Sequence, residues 1–146
     1  MDLVFLDERW SSVISRYEEL YLANPSTCLR SDRAIILEYL QGGKCLGFIE
    51  DGELVSFVLF SFNEYLVGFV EKCFVLPNFR GRGLSKLMLS EVVKVASECH
   101  CVSIYAMCSP RNKQSLNSFR GAGFCVAAKA ICEGQSRVIL KYEVSC

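Results

Sequence analysis

Val75-Leu76-Pro77-Asn78-Phe79-Arg80-Gly81-Arg82-Gly83-Leu84-Ser85 is the stretch that decides how this chain folds. The run before it, Tyr65 to Leu76, is rich in Val, Phe and Leu and reads as a strand that Pro77 ends. After it, Leu84, Leu87, Met88, Val92, Val95, Ala96 and Cys99 recur at helical spacing, with Lys86, Ser90, Lys94 and Ser97 on the opposite stripe. A strand therefore passes through a loop with two glycines around an arginine and enters an amphipathic helix at once. Glycines let backbone N–H groups come close to a ligand, and a helix start adds unpaired donors and partial positive charge. Arg80 and Arg82 add full charges, so the junction suits phosphate oxygens. It is not a Walker loop, because no G-x-x-x-x-G-K-[ST] string occurs. Nor is it a dinucleotide fingerprint: position 86 is lysine where glycine is needed, and the preceding strands are joined as hairpins. The plainer alternative is a glycine-tolerant turn with surface arginines.

Outward from this junction the periodicity marks the remaining elements. Cys45 to Glu50 and Leu54 to Phe62 are strand-like, joined through Asp51-Gly52, and Asn63-Glu64 links them to the third run, so these three strands form an antiparallel meander. Before them come a short strand over residues 2–6 and a helix carrying Trp10, Val13, Ile14, Tyr17, Leu20 and Tyr21 on its apolar face, ending near Asn24-Pro25. Ser31 reads as the N-cap of a second helix, with Asp32 in its first turn, that stops at Gln41-Gly42-Gly43. After the long helix come a buried strand from Val102 to Met107 and a helix starting at Asn112 with Leu116 and Phe119 inward, closed by Gly121 and Gly123. Two last strands, Phe124 to Ile131 and Val138 to Val144, turn through Glu133-Gly134-Gln135. The order β-α-α-β-β-β-α-β-α-β-β, with no repeat or linker, predicts one α/β (α+β) domain over residues 1–146.

Composition narrows the function. With 146 residues, 51% of them apolar, the chain can bury a core unaided, which excludes disorder. Sixteen basic and sixteen acidic residues cancel, which argues against a protein that lives on nucleic acid. The balance is uneven, however. Between Asn78 and Phe124 seven Lys/Arg face two acids, a net of +5, so the rest of the chain carries −5. The N-terminus lacks the features of a signal peptide. The greasy region Leu54 to Val70 is interrupted by Asn63 and Glu64, short of the roughly 20 apolar residues a bilayer helix needs, so no membrane association is expected. Nine cysteines are an odd number, and Cys45, Cys73, Cys108, Cys125 and Cys132 sit in apolar strand contexts, which predicts reduced, mostly buried thiols in a cytoplasmic protein. Cys99-His100-Cys101 has no second ligand pair, so no metal is expected.

The string Val75 through Leu84 resembles motif A of the GNAT acetyltransferase superfamily, V-x-P-x-x-R-G-x-G-[IL], without a gap. Asn112-Lys113-Gln114-Ser115-Leu116-Asn117-Ser118-Phe119-Arg120-Gly121-Ala122-Gly123-Phe124 is similar to the family's second signature, N-x-x-[AS]…[YF]-x-x-x-G-F. The separation of the two and the element order also match. The resemblance implies the GNAT fold, a central mixed, mostly antiparallel sheet of about seven strands flanked by about four helices. It implies acetyl-CoA as co-substrate and direct transfer to an amine. Its pyrophosphate would lie on the amides of Arg80, Gly81, Arg82, Gly83, Leu84 and Ser85. Main-chain groups of Cys73, Phe74 and Val75 would meet the pantetheine arm, which enters where the fourth and fifth strands splay. Asn112 would touch that arm and Phe119 would lie near the sulfur. Two residues depart from the family pattern: Ser85 stands where Gly or Ala is common, and Phe119 where many members carry a Tyr that protonates the leaving thiolate.

Glu71 is the leading base. It lies on the cofactor strand and, by alternation, would share an apolar face with Cys73 and Val75, which would raise its pKa. Pairing with Lys72 at a solvent-facing strand end is the structural alternative. Tyr105 is a weaker candidate that could supply the missing hydroxyl. A backbone N–H near Phe74 or Val75 would meet the oxyanion. His100 is favoured as a surface or capping residue, and Cys108 is set aside because the family forms no acyl-enzyme. The acceptor is expected to be a primary amine of a small molecule or peptide. The alternatives are a non-catalytic acetyl-CoA-binding module, or a toxin-like enzyme acetylating aminoacyl-tRNA. A homodimer is left open.

Overall fold

The computed structural model describes residues 1–22 and 33–144. Seven strands and four α-helices follow in order: β1 Asp2–Phe5, α1 Ser11–Tyr17, α2 Arg33–Gln41, β2 Cys45–Glu50, β3 Glu53–Phe62, β4 Val67–Val75, α3 Leu84–Glu98, β5 Ser103–Cys108, α4 Lys113–Gly121, β6 Cys125–Cys132 and β7 Gln135–Glu143. They build one sheet of spatial order β1-β2-β3-β4-β5-β7-β6. Every neighbouring pair is antiparallel except β4–β5. This is the expected architecture. Helices cover both faces: Tyr17 of α1 packs on Phe74 and donates to the Leu54 carbonyl at 2.7 Å, while Cys73 meets Ser85 of α3 on the opposite face. Because β3 lies between these layers, Leu54 through Phe60 are buried without alternation, as expected for a strand covered on both sides.

Three elements differ from their expected form. The first helix is not continuous: a 3-10 turn at Glu8–Trp10 precedes α1, and a π-helical turn at Glu18–Leu22 follows it. A π turn closes i→i+5 bonds, so it advances the helix face beyond the 3.6-residue phase. Leu20 and Tyr21, expected inward, are therefore exposed, and Glu18 turns in with 2% of its surface accessible. Its Oε1 meets Lys72 Nζ of β4 at 3.0 Å. Second, β4 begins at Val67 and not at Tyr65, because Asn63 Oδ1 accepts from the N–H groups of both Tyr65 and Val67 and holds them in a turn. Third, the edge strand β6 exposes Cys125 and Val126, so Cys125 is not the buried thiol its apolar context suggested. The end of the first helix near Asn24-Pro25 and the cap at Ser31-Asp32 lie outside the described residues.

Removing one partner of a buried ion pair leaves the other charge uncompensated, which typically costs about 3 kcal/mol or more. Lys72→Met should therefore destabilise the protein by about that amount in urea denaturation, and the double change Glu18→Gln/Lys72→Met should recover much of it.

Candidate functional site

The site begins with an irregularity in β4. Across the β3 ladder Leu59 opposes Lys72 while Phe60 opposes Val70, which leaves Glu71 as the extra residue of a β-bulge. Alternation therefore breaks there. Cys73 and Val75 face α3, whereas Glu71 faces the α1–α2 layer, where its Oε1 accepts from Ser61 Oγ at 3.3 Å and its carboxylate meets the Tyr39 hydroxyl. The expectation that Glu71 shares an apolar face with Cys73 and Val75 is thus corrected: the bulge moves it to the other face, exposed and among hydroxyls. Lys72 is not its partner either, being engaged by Glu18.

The bulge also marks where the sheet opens. β4 and β5 pair in parallel from Val67↔Ser103 to Val70↔Ala106 and no further, although β5 continues to Cys108 along β7. Past that point β4 keeps its bonds to β3 and turns an unpaired backbone edge towards β5. Glu71 stands at the apex of this split. Tyr105 of β5 faces the α1–α2 side nearby, stacked on Phe69 with ring centroids 6.2 Å apart. Lys141 Nζ lies 5.5 Å from the Tyr105 ring centroid and pairs with Glu143; Glu143, and after it Tyr105, hold the Lys141 ammonium above its ordinary pKa.

At the other end of β4 a 3-10 turn, Pro77–Phe79, leads into the loop. Gly81 and Gly83 have φ of +80° and +77°, the left-handed region that favours glycine, and a Cβ at either would meet no heavy atom within 4 Å. The glycines answer to backbone conformation, and the loop surface is open. Gly83 caps α3 with no side-chain hydrogen bond, and the first helical bond runs from Leu87 N to Gly83 O at 3.1 Å. The N–H groups from Gly83 to Lys86 thus precede that bond, and no acidic residue lies in the first turn to compete for them. Open donors beside cations fit a diphosphate. The arginines are not both aimed at it, however. Arg80 Nε turns back to donate to the Val75 carbonyl at 3.0 Å, and the Arg82 guanidinium lies over Phe79, 4.8 Å from its centroid.

Asn112 and Phe119 lie at the two ends of α4. Asn112 Oδ1 caps the helix by accepting from Ser115 N at 3.1 Å. Phe119 is buried, edge-to-face on Phe124 at 5.1 Å. Gly123, at φ +99°, lies so close to Tyr142 that a Cβ would come within 2.8 Å of the ring, which explains the glycine of the second signature. His100 takes the left-handed position that closes α3, in keeping with a capping role. Two thiols lie on the strands that diverge. Burial pushes Cys73 up to about 11, and burial likewise raises Cys108. A cleft of about 460 Å³ behind the loop, lined in part by Arg16, Tyr17, Glu53 and Phe79, includes neither Glu71 nor Ser85. Among the described residues no group of three or more His, Cys, Asp or Glu could hold a metal, and no helix is long and apolar enough to cross a membrane.

Tyr39, Ser61 and the Glu18–Lys72 pair were not singled out by the sequence. Only the adjacency of two charges, Glu71-Lys72, inside an apolar strand hinted at the bulge that brings them together.

The family model for the acetyltransferase (GNAT) family matches residues 10–124. Among solved structures, Ard1 from Thermoplasma volcanium superposes with a TM-score of 0.84 at 13% identity, covering 99% of this chain and 97% of that one. The protein yncA from Salmonella typhimurium, solved with its cofactor acetyl-CoA, gives 0.80 at 18% identity over 99% and 94%. A GNAT-family acetyltransferase from Bacillus cereus gives 0.79 at 19% identity over 99% and 98%. At such identities the likeness is one of fold. No curated protein matches the chain.

Because Gly83 holds a left-handed conformation with free space around it, its substitution separates backbone strain from crowding. Gly83→Ala should cost about 1–2 kcal/mol in urea denaturation, and Gly83→Asn less, since asparagine tolerates this region better.

Proposed function

Because the chain belongs to the GNAT acetyltransferase family, we propose that it transfers the acetyl group of acetyl-CoA directly to a primary amine of a small molecule or peptide, in a ternary complex. The observation that carries this reading is the coincidence of three features from β4 to α3: an exposed carboxylate at the apex of the split, an unpaired edge past Val70, and open amides at the start of α3. An acyl-CoA needs a slot for its arm, donors for its diphosphate, and a place where its thioester meets an acceptor. The strand end and loop offer these in sequence.

Acetyl-CoA supplies the acyl group, so that the new C–N bond forms as the C–S bond breaks and the amine gives up a proton. Amides of Gly81 through Ser85 would bind the diphosphate, with the Arg82 charge beside them. Main-chain groups of Cys73, Phe74 and Val75 would align the pantetheine, and an N–H near Phe74 or Val75 would meet the oxyanion. Arg80 contributes by bracing the Val75 carbonyl. Asn112, whose Oδ1 caps α4, would reach the arm with its amide N–H, and Phe119 would pack near the sulfur. Glu71 would take the amine proton, directly or through water. Tyr105 would serve as acid for the thiolate, with the Lys141 ammonium beside its ring. Positioning supplies most of the rate, so this acid–base pair needs only modest strength.

One observation favours a second reading, a non-catalytic acetyl-CoA-binding module: Phe119 is sealed against Phe124 and offers no proton donor. The balanced charge disfavours a tRNA acceptor.

Acetyl-CoA at a hundredfold excess over its Kd should stabilise the protein by about 2.7 kcal/mol, read as a rise in Tm. No rise would remove the acyl-CoA reading altogether. Given binding, CoA thiol release across a panel of amines separates enzyme from module. Glu71→Gln should lower kcat/KM and erase the acid limb of its pH profile; an unchanged profile would eliminate Glu71 as base.

A further inference from the structure

The bulge at Glu71 does more than expose a carboxylate. It brings that carboxylate against two hydroxyls carried by different elements, Ser61 near the end of β3 and Tyr39 near the end of α2. Ser61 Oγ donates to Glu71 Oε1 at 3.3 Å, and the Tyr39 hydroxyl lies against both groups with its proton available to the carboxylate, so the three side chains close on one another. Tyr39 is half-buried against the core, whereas Glu71 is exposed. The arrangement therefore holds the carboxylate from the α1–α2 side while leaving it open to solvent at the apex of the split.

We propose that Tyr39 and Ser61 are positioning residues that hold the Glu71 carboxylate at the apex of the split, ready to take a proton from the acceptor amine. The proposal rests on the reading of Glu71 as base. Hydrogen bonds donated to a carboxylate favour its charged form, and two donors on separate elements also restrict its rotamer. Burial, and after it the Glu71 carboxylate, push the Tyr39 phenol up to about 12, so Tyr39 stays protonated and remains a donor across the working range. In the transfer step the proton moves from the amine nitrogen to the carboxylate as the C–N bond forms and the C–S bond breaks, CoA leaves as its thiolate to be protonated, and the carboxylate passes its proton to water afterwards. Tyr39 and Ser61 exchange no proton in it. The other charged or titratable groups around the cluster are Glu38 of α2, the Lys72–Glu18 pair, and Tyr105 with Lys141. All are retained in the variants below, so their contributions cancel in comparison.

The test uses the free protein and the enzyme in parallel. Carbon-13 NMR of the side-chain carboxyls, with the Glu71 signal assigned by its loss in Glu71→Gln, gives the titration midpoint without any cofactor. Tyr39→Phe, which keeps the ring and its packing, should raise that midpoint and move the acid limb of kcat/KM upward equally. Ser61→Ala should act in the same direction by less, its bond being long, and it serves as the second variant if Tyr39→Phe is poorly folded. A purely structural role would lower Tm and leave both pH values in place, which overturns the proposal. If Glu71→Gln erases the acid limb while neither hydroxyl variant moves it, Glu71 is the base and the positioning role falls. If the midpoint moves and the limb does not, the reading of Glu71 as base is what fails.

Discussion

In a sheet that is otherwise antiparallel, β4 and β5 run side by side in parallel for four residue pairs, Val67–Val70 against Ser103–Ala106, and then part. Everything that concerns chemistry follows from that parting. A strand bonded on one side only carries a row of unpaired donors and acceptors on the other, and such groups require partners. Three residues beyond the parting, Cys73 to Val75 still present that edge, and fourteen beyond it the first turn of α3 adds free amides of its own. The fold thus gathers unmet hydrogen-bonding capacity along a single line, and the two glycines let that line bend from strand to helix without closing over it.

The junction at residues 75–85 was legible because its signals are local: a proline that stops a strand, glycines that take positive φ, and a helical stripe starting at Leu84. The element order and the sheet were legible for the same reason, each strand being a compact apolar run between turn residues. What escaped were shifts of phase. A bulge and a π turn each alter the count by a fraction of a repeat, and periodicity arguments assume that count. The first helix accordingly read as one amphipathic face with Leu20 and Tyr21 inward, and β4 read as one alternating strand with Glu71 beside Cys73. The first two helices and the last strands, which would border the acceptor, carry no legible motif.

Both phase shifts act on neighbouring charges. Glu71 and Lys72 are consecutive, and a regular pleat would send them to opposite faces. The bulge keeps both on the α1–α2 side, and the π turn supplies Glu18 to neutralise Lys72. One charge of the couple is thereby tied into the packing of α1, and the other is left to the hydroxyls of Tyr39 and Ser61. Irregular backbone here sorts two adjacent ionic groups into a structural one and an accessible one, which a regular strand and helix would not do.

The two thiols on the diverging strands add a constraint of chemoselectivity. A thiol reacts with a thioester only as its anion. Burial pushes Cys73 up to about 11, so its thiol stays protonated at neutral pH, and Cys108 is displaced in the same direction. An acyl thioester near these strands would therefore meet thiols and not thiolates. The same desolvation that makes these cysteines good packing residues keeps them chemically silent.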